Sequence, residues 1–395
     1  MTTSKVYYGD ARESFNAGPN LTSRILSTAI PLKLSTLFDV SGAAQLIKPN
    51  DIVAIKVHPG ELLNPRYLRP DLVRIVVEKV KENGGRPFVT NSTGLGSVES
   101  VFGKTKKIVV WRWRTAAGAI DVAAAHGYTR ETLGAPFVVS DGLDGVSGRR
   151  VAVKGTQLKE TWVAEAFTEA DKTIILSHFK GHGMSGFGGA LKNIGLGAVP
   201  KQGKWMVHRY DRPSIDVAKC TGCGECLPVC IGDGITLTAG KAAINTEKCV
   251  LCDGCVIACH EGAVVFKNTS NKDGTIRMVD NVHAFIQYFG AENVFYFNFL
   301  FDIVSACDCW PLPGIPIVPD IGILASNDPV AIDKASVDLV NRSPGIPTSP
   351  AEGHGVLAAG TDKFTGIYPD TDWRVQIETA EKLGLGKSNY ELVKV

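Results

Sequence analysis

The chain has 395 residues, of which 44% are hydrophobic and 21% charged, and its formal net charge is +2. This length and balance are typical of a folded globular protein with two or three domains, or with one large domain and an insertion. The nearly neutral charge gives no general attraction to nucleic acid or to an anionic membrane surface, so neither is expected as a partner.

The sequence predicts neither a membrane span nor a secretory signal. No apolar run approaches the ~20 residues that cross a bilayer. The first residues, MTTSKVYYGDARES, lack the apolar core of a signal peptide. We therefore expect a cytoplasmic protein, in a compartment that keeps thiols reduced.

Strand-like and helix-like segments alternate along the first two hundred residues. Continuous apolar runs predict buried strands, and apolar residues at helical spacing after Pro70 predict a helix that Gly84 and Gly85 end. The predicted strands are 51–57, 86–92, 135–141 and 171–177, and the predicted helices are 70–85, 118–127 and 188–197.

The same alternation resumes after residue 268. It predicts a helix around HAFIQYF, strands at 293–299 and 321–326, and a helix at 328–342 with Asp328 as N-cap. Strands alternating with helices predict a layered α/β core domain, built here from residues 1–213 and 269–395. Residues 214–268 are predicted to form a small α+β ferredoxin-like insertion, which is tolerable because loop-closure cost grows slowly with length.

Cysteines are concentrated in this predicted insertion. Eight of the ten lie between residues 220 and 259, and none precedes them. They form two C-x2-C-x2-C-x3-C runs, and the surrounding sequences KCTGCGECLPVCIGDGITL and KCVLCDGCVIACHEGAVVF align without gaps at an offset of 29 residues. Clustered cysteines in a reducing compartment are typical of metal binding rather than of disulfides.

This spacing is that of bacterial ferredoxins with two [4Fe–4S] clusters, in which the fourth cysteine of each run ligates the other cluster. Gly222, Gly224 and Gly254 would let the backbone wrap closely around the sulfurs. A pair of zinc sites is the alternative, although two complete four-cysteine sets favour iron–sulfur. The usual proline after the fourth cysteine is replaced by Ile231 and His260, which affects packing and potential rather than cluster identity. The predicted ligand sets are Cys220, Cys223, Cys226 and Cys259 for one cluster, and Cys249, Cys252, Cys255 and Cys230 for the other.

A second candidate site is the Gly-rich segment 177–193, which ends a predicted strand and opens a predicted helix. Open α/β sheets bind ligands at such an edge, and glycines before a helix N-terminus suit an anion. The segment matches neither the P-loop nor the dinucleotide fingerprint. The candidate catalytic residues are His178, Lys180, His182 and Lys192. The alternative is a Gly-rich turn whose histidines bond to the backbone.

Three smaller features remain open. Cys307 and Cys309, before Trp310, could bind a further metal with histidines, act as a redox dithiol, or be two buried thiols. His58 follows a predicted strand and is expected to be structural. A basic, aromatic stretch could clamp an anion, but its pattern favours a solvated face with a tryptophan packed inward. That stretch comprises Lys104, Lys106, Lys107, Trp111, Arg112, Trp113 and Arg114.

Four segments resemble domain-of-unknown-function family 362. They are KGHGMSGFGGALKNIGLG, CDCW, VPDIGILASNDPVAIDKASVDLV and EKLGLGKSNYELV. Members of that family often carry an inserted bacterial-type two-cluster ferredoxin module and are described as uncharacterised iron–sulfur centre proteins. The resemblance implies an α/β core and cluster binding, and it implies no substrate.

The sequence therefore predicts an iron–sulfur redox protein, an oxidoreductase that passes electrons between a redox partner protein and a small anionic substrate. Lys180 and Lys192 would neutralise the substrate's charge, and a histidine would donate a proton. Two alternatives stay open: an electron carrier or cluster-assembly partner without a substrate, and a non-redox enzyme with structural clusters. No flavin or nicotinamide motif is visible, so a partner protein is expected to supply the electrons.

Overall fold

The computed structural model describes residues 3–12, 29–95, 98–102, 106–110, 112–209 and 211–395. Within these ranges the predicted α/β class is confirmed, since helices pack against a large, mainly parallel sheet. None of the described helices combines the length and apolar character that a membrane crossing needs.

An eight-stranded sheet forms the centre of the fold. The strands of the chain are β1 Ser4–Asp10, β2 Ile52–Lys56, β3 Arg86–Asn91, β4 Val98–Phe102, β5 Lys106–Val110, β6 Phe137–Val139, β7 Gly148–Ala152, β8 Glu160–Ala164, β9 Lys172–His178, β10 Lys180–His182, β11 Gly186–Gly188, β12 Ser214–Ile215, β13 Ile235–Thr238, β14 Lys241–Ile244, β15 Val264–Val265, β16 Val294–Leu300, β17 Gly322–Ser326 and β18 Tyr390–Lys394. The sheet order is β18-β1-β17-β16-β9-β2-β3-β6, and β17 alone runs against its neighbours. The chain runs from β2 outward to β3 and β6, then returns to the other side of β2 as β9, which makes a topological switch point there.

Helices cover both faces of the sheet. The α-helices are Ile30–Val40, Ala43–Leu46, Pro70–Glu82, Ala116–Ala125, Arg130–Leu133, Glu165–Thr168, Ala190–Gly197, Lys201–His208, Gly254–Ala258, Asn271–Phe289, Pro329–Arg342, Pro350–Gly353, Lys363–Ile367 and Arg374–Lys382. Two 3-10 turns span Arg112–Arg114 and Ala291–Asn293. The helices predicted from apolar spacing are confirmed, and the one predicted around HAFIQYF extends back to Asn271.

The strands are buried on both faces, as their continuous apolar runs require. Ile175 packs into one hydrophobic core, while its neighbours Ile174 and Leu176 pack into the other. The first core includes the helices Ala190–Gly197 and Asn271–Phe289, and the second includes Pro70–Glu82. The sheet therefore positions the residues that follow its strands rigidly between two packed layers.

The helix Pro329–Arg342 begins as its sequence predicts. The Asp328 carboxylate accepts hydrogen bonds from the backbone N–H groups of Val330 and Ala331, both at 2.9 Å. It also accepts one from the Ser4 hydroxyl at 2.7 Å and one from the Lys387 N–H at 2.9 Å. One N-cap thus holds a helix and both terminal segments together.

Between residues 214 and 268 the chain forms small elements apart from the large sheet. β12 pairs with β15 in antiparallel fashion, and β13 and β14 form a hairpin. A separate small core lies inside, which includes Cys220, Cys226, Ile235 and Ala263. The pairing of β12 with β15 brings the two ends of this segment together, so its insertion need not disturb the sheet.

Candidate functional site

The carboxyl ends of β2, β9 and β16 meet at one edge of the sheet, beside the switch point. His178 ends β9, and Lys180 follows on the short strand β10. Lys192 lies in the first turn of the helix Ala190–Gly197. The loop after β16 returns to the same place and carries Cys307 and Cys309. The structure thus brings the predicted candidates of both sequence motifs into one buried group.

Asp308, which the sequence did not single out, is the centre of this group. Its carboxylate is completely buried and lies 2.8 Å from His178 Nδ1 and 2.8 Å from Lys180 Nζ. Burial alone would raise its pKa, but the charges of His178 and Lys180 hold that pKa well below its ordinary value. Asp308 is therefore ionised, and its negative charge holds the side chains of His178 and Lys180 in place.

Both ring nitrogens of His178 have hydrogen-bond partners within the protein. Its Nε2 faces the backbone carbonyls of Phe301 at 2.9 Å and Asp302 at 3.2 Å, while Nδ1 faces Asp308. Two acceptor-facing nitrogens are satisfied together only by the doubly protonated ring. The arrangement suits a residue that orients Asp308, rather than one that gives a proton to a ligand.

The thiol of Cys307 lies against two other predicted residues. The Lys192 ammonium donates to Cys307 Sγ at 2.7 Å, and the Cys309 thiol donates to the same sulfur at 2.8 Å. His182 also hydrogen-bonds Cys307 and helps to lower its pKa. His182 Nδ1 accepts from the N–H groups of Met184 and Ser185, so the ring presents Nε2–H to the sulfur.

Lys56 is a site residue that sequence reasoning missed. It is completely buried at the end of β2, and its Nζ donates to Asn193 Oδ1 at 2.8 Å and to the Val57 carbonyl at 3.2 Å. Burial and the charges of Lys204 and Lys192 hold its pKa well below the ordinary value. A lysine inside the apolar run DIVAIKV was the available signal, since a buried cation needs a reason.

A second buried polar group lies beside the first, after β3 and β6. The Asp141 carboxylate accepts from the Thr93 N–H at 2.8 Å and lies 3.8 Å from Lys204 Nζ. Lys204 also donates to the Ser92 hydroxyl at 2.8 Å, and burial lowers its pKa to about 8. Nothing in the local sequence connects these residues, because the sheet order alone brings them together.

His58 joins the same edge, although it was expected to be structural. Its Nδ1 accepts from the Gly60 N–H at 3.0 Å, and its ring meets Trp113 edge-on with 4.7 Å between ring centres. Burial lowers its pKa to about 3, so the ring is neutral. Trp113 packs inward, as predicted for one tryptophan of the basic stretch. Lys104 and Trp111 lie outside the described residues, as do the side chains of Lys106, Lys107 and Arg112.

Asp333 anchors the helix that carries Lys192. Its carboxylate accepts from the N–H groups of Ala190 at 2.7 Å and Leu191 at 2.9 Å, and from Asn298 Nδ2 at 2.8 Å. A Cβ at Gly189 would lie 2.2 Å from Asp333 Oδ1, so only glycine fits before this helix.

We expect Asp333→Ala to lower the free energy of unfolding by about 2–4 kcal/mol, because three buried donors lose their acceptor. Urea unfolding under anaerobic conditions measures this. Asp338→Ala on the same helix is the matched control, since that partly exposed carboxylate pairs with Lys334 and should cost no more than about 1 kcal/mol. Equal losses in the two variants would contradict the anchoring role.

The eight cysteines of residues 214–268 line two cavities. Each cavity holds three cysteines of one run and the fourth cysteine of the other run. The first is lined by Cys230, Cys249, Cys252 and Cys255 and has about 370 Å³ of space free of protein atoms, part of it open to solvent; the second is lined by Cys220, Cys223, Cys226 and Cys259 and has about 350 Å³ of the same kind. These are the two sets that the sequence predicts.

Backbone N–H groups point at the sulfurs of these cavities. Ala242 donates to Cys220 at 3.4 Å, Ala263 to Cys259 at 3.2 Å, and Gly234 to Cys230 at 3.2 Å. Such donors stabilise sulfur that carries negative charge, as ligating thiolates do.

The two cysteine runs repeat in backbone conformation as well as in sequence. Gly222 and Gly224 adopt φ of +78° and +81°, and the positions 29 residues later, Leu251 and Asp253, adopt +55° and +57°. Gly254 is required for a steric reason instead, since a Cβ there would lie 2.7 Å from the Val229 carbonyl oxygen. The second run thus adopts the same turn with Leu251 and Asp253 in place of glycines. Positive φ at these residues costs conformational energy, which other interactions of the folded insertion must offset.

The insertion touches the sheet edge at the cavity that Cys252 lines. Arg114 donates to Asp253 Oδ1 at 2.7 Å and to the Cys252 carbonyl at 3.4 Å. The residue before it, Trp113, is the one that meets His58. One short segment therefore contacts both the cysteine-lined cavity and His58, which lies two positions beyond the end of β2 at the sheet edge.

Apart from the two four-cysteine cavities, the part of the chain that the structure describes has no group of three or more His, Cys, Asp or Glu side chains arranged to hold a metal ion. A further metal at Cys307 and Cys309 therefore stays a prediction without support from this geometry.

Comparison with known protein families identifies the family of this chain. Residues 53–338 match the family described as "Domain of unknown function (DUF362)". The chain belongs to this family. The DUF362 match spans the cysteine-rich insertion as well as strands β2 to β17, so the predicted family resemblance is confirmed for most of the sheet and for the site edge.

Two further similarities concern parts of this DUF362 chain. A stretch of 51 residues is 41% identical to Ferredoxin-1 from Rhodobacter capsulatus, and it covers 78% of that ferredoxin but 11% of this chain. The structure of the lactate racemase apoprotein from Thermoanaerobacterium thermosaccharolyticum is similar with a TM-score of 0.41 and 11% identity, covering 92% of this chain and 80% of that one.

Proposed function

We propose that this DUF362 protein is an iron–sulfur redox enzyme, in which a small anionic substrate reacts at the sheet edge beside a two-cluster insertion. The observation that carries the proposal is the buried group of Lys180, Lys192, His182 and Cys307 around Asp308. His58, at the same sheet edge, is linked to the Cys252 cavity through Trp113 and Arg114. Buried charge at a ligand-binding edge is what catalysis requires and stability alone does not.

The cysteine-lined cavities fit [4Fe–4S] clusters. A zinc ion draws its four ligands to about 2.3 Å from one point, whereas these thiols surround open space with backbone N–H groups aimed at the sulfurs. The likeness to Ferredoxin-1 supports the same assignment. Such clusters, when bound, supply or accept single electrons.

The buried lysines of the sheet edge suit an anion. Five lysines there are buried, alongside the carboxylates of Asp141, Asp308 and Asp333 and the thiol of Cys307; they are Lys56, Lys180, Lys192, Lys201 and Lys204. Burial first, and then the positive field of Lys204 and Lys192, hold down the pKa of Lys56. An anionic group bound here would offset that field, and its own charge would be stabilised in a site with little water.

The histidine of this proposal that faces the ligand is His182 rather than His178. His178 is held by Asp308 and two backbone carbonyls, while the neutral ring of His182 presents Nε2–H toward Cys307 beside Lys192. Its Nε2–H and the Lys192 ammonium would stabilise, as hydrogen-bond donors, charge that develops on a substrate.

A redox partner protein fits the outer side of the insertion. Cys223 is exposed, and the apolar side chains of Val229, Ile231 and Leu237 are 38%, 44% and 45% exposed around the cysteine runs. Exposed apolar residues close to a redox centre suit a transient protein contact.

The test uses the anaerobic holoprotein with its clusters reduced photochemically. The probes are small two-electron-accepting anions: 2-oxo acids and 2-enoic acids. We expect at least one to reoxidise the wild-type clusters, and Lys192→Met to slow that reaction by at least about 100-fold because a charge at the reacting group is lost. Reduction of the clusters themselves should be unchanged.

Lys272→Met is the matched control, since Lys272 is exposed at the start of the helix Asn271–Phe289, away from the strand ends. It should reoxidise at the wild-type rate. If every probe reoxidises wild type and Lys192→Met equally, the sheet edge is not where electrons leave the protein.

A further inference from the structure

Cys307 and Cys309 are two thiols in contact, with unequal surroundings. Their sulfurs lie 2.8 Å apart; Cys307 is buried, while Cys309 is partly exposed. The hydrogen bond from Cys309, the Lys192 ammonium and His182 lower the pKa of Cys307 well below its ordinary value. The pKa of Cys309 is raised, first by that hydrogen bond and then by burial. The pair therefore holds one thiolate and one thiol.

The turn that carries the pair is fixed on several sides. The Cys309 N–H donates to Cys307 Sγ at 3.4 Å, and the Trp310 N–H donates to the Cys307 carbonyl at 2.9 Å. The Asp308 carbonyl accepts from the Glu61 N–H at 2.8 Å. With the Asp308 side chain held by its two cations, both sulfurs are kept on the same side of the turn.

We propose that Cys307 and Cys309 form a redox-active dithiol that cycles with an intramolecular disulfide and is the two-electron group of the site. In the oxidising direction the S–S bond forms, the Cys309 proton leaves to solvent, and two electrons pass to a two-electron acceptor, such as a 2-oxo acid that takes up two protons and becomes a 2-hydroxy acid. In the reducing direction two electrons and one proton break that bond and restore the Cys307 thiolate and the Cys309 thiol. The electrons come from a one-electron donor, the class to which reduced iron–sulfur clusters belong.

This inference rests on the proposed function only for the source of the electrons. Two one-electron centres in one chain match a pair of thiols that takes up two electrons. Lys192 faces the sulfur that becomes negative on reduction, so it stabilises the reduced form of the pair.

The sequence allows the pair to be followed separately. Trypsin cuts after Arg277 and Lys334, and the peptide of residues 278–334 contains Cys307 and Cys309 and none of the eight cysteines of the insertion. Full-length holoprotein would be equilibrated in dithiothreitol redox buffers, quenched in acid and alkylated with N-ethylmaleimide in denaturant. Mass spectrometry then counts the labels on this peptide.

The expected result is a doubly labelled peptide in reducing buffers and an unlabelled one in oxidising buffers. The ratio should change tenfold per about 30 mV, which is the slope of a two-electron couple. Lys192→Met should move the transition to more negative potential, since the thiolate loses its cation. Cys309→Ser should leave Cys307 labelled throughout the series, apart from adducts with dithiothreitol.

Double labelling in every buffer, even after excess diamide, would overturn the proposal. The proposal would also be overturned if Cys307 and Cys309 of the native, reduced protein resisted alkylation until a chelator was added. That result would show that the two thiols bind a metal. The outcome is independent of any substrate. A pair that cycles in a protein whose clusters are reoxidised by no anionic probe would retain this inference and refute the proposed function.

Discussion

Replacing Asp308 with alanine is expected to lower the free energy of unfolding by about 3–5 kcal/mol, because removing one partner of a buried ion pair leaves charge uncompensated. Here two cations are left, His178 and Lys180, each 2.8 Å from the carboxylate. Anaerobic urea unfolding, followed by tryptophan fluorescence, measures the loss. Reoxidation of the reduced clusters by the anionic probes should also be lost, since the turn with Cys307 and Cys309 would no longer be held in place.

The pH dependence of the free energy of unfolding distinguishes loss of the Asp308 ion pairs from a simple loss of packing. The folded pKa of Asp308 lies below its unfolded value, so its stabilisation is present above about pH 4 and is lost as the pH falls further. The stability of wild type should therefore fall more steeply below pH 4 than that of Asp308→Ala. Asp302→Ala, which removes a partly exposed carboxylate paired with Arg66, is the control and should cost no more than about 1 kcal/mol. Parallel acid profiles would contradict the ion-pair account.

The sheet strands and their helices could be predicted because each is encoded locally. An apolar run such as NVFYFNF, or a cap such as Asp328, needs no information from elsewhere in the chain. The outer strands β1 and β18 were not predicted. Their mixed sequences become strands by pairing with each other and, for β1, with β17, more than three hundred residues away. Tertiary pairing decides such segments.

The candidate site also combines residues that the local sequence predicts with residues that only the folded sheet brings together. His178, Lys180 and Lys192 could be predicted as a group because one strand end and the next helix carry them. Lys56 and Asp308 could not, since they follow other strands, and only the order β16-β9-β2 brings them to His178. The positive backbone φ at Leu251 and Asp253 was also hidden, because the sequence shows no glycine there.

The crossed assignment of the cluster ligands leads to the second large effect. In each cavity, three thiols come from one run and the fourth from the other. Cys230→Ala should therefore empty the cavity of Cys249, Cys252 and Cys255, with a loss of about four of the eight irons, and Cys259→Ala should empty the other. Cys307→Ala is the control and should retain all the iron, because that thiol lies outside both cavities.

Alkylation of the native protein shows which cluster has gone. Trypsin separates the two runs, on the peptides of residues 220–241 and 249–267. In Cys230→Ala, labels should appear on Cys249, Cys252 and Cys255, while Cys259 on the same peptide stays protected by the remaining cluster. Without crossing, the labels would instead appear on Cys220, Cys223 and Cys226. Because the exchanged cysteines, Cys230 and Cys259, each join the two runs, the set of three labelled cysteines reports directly which run shares a cluster with the mutated position.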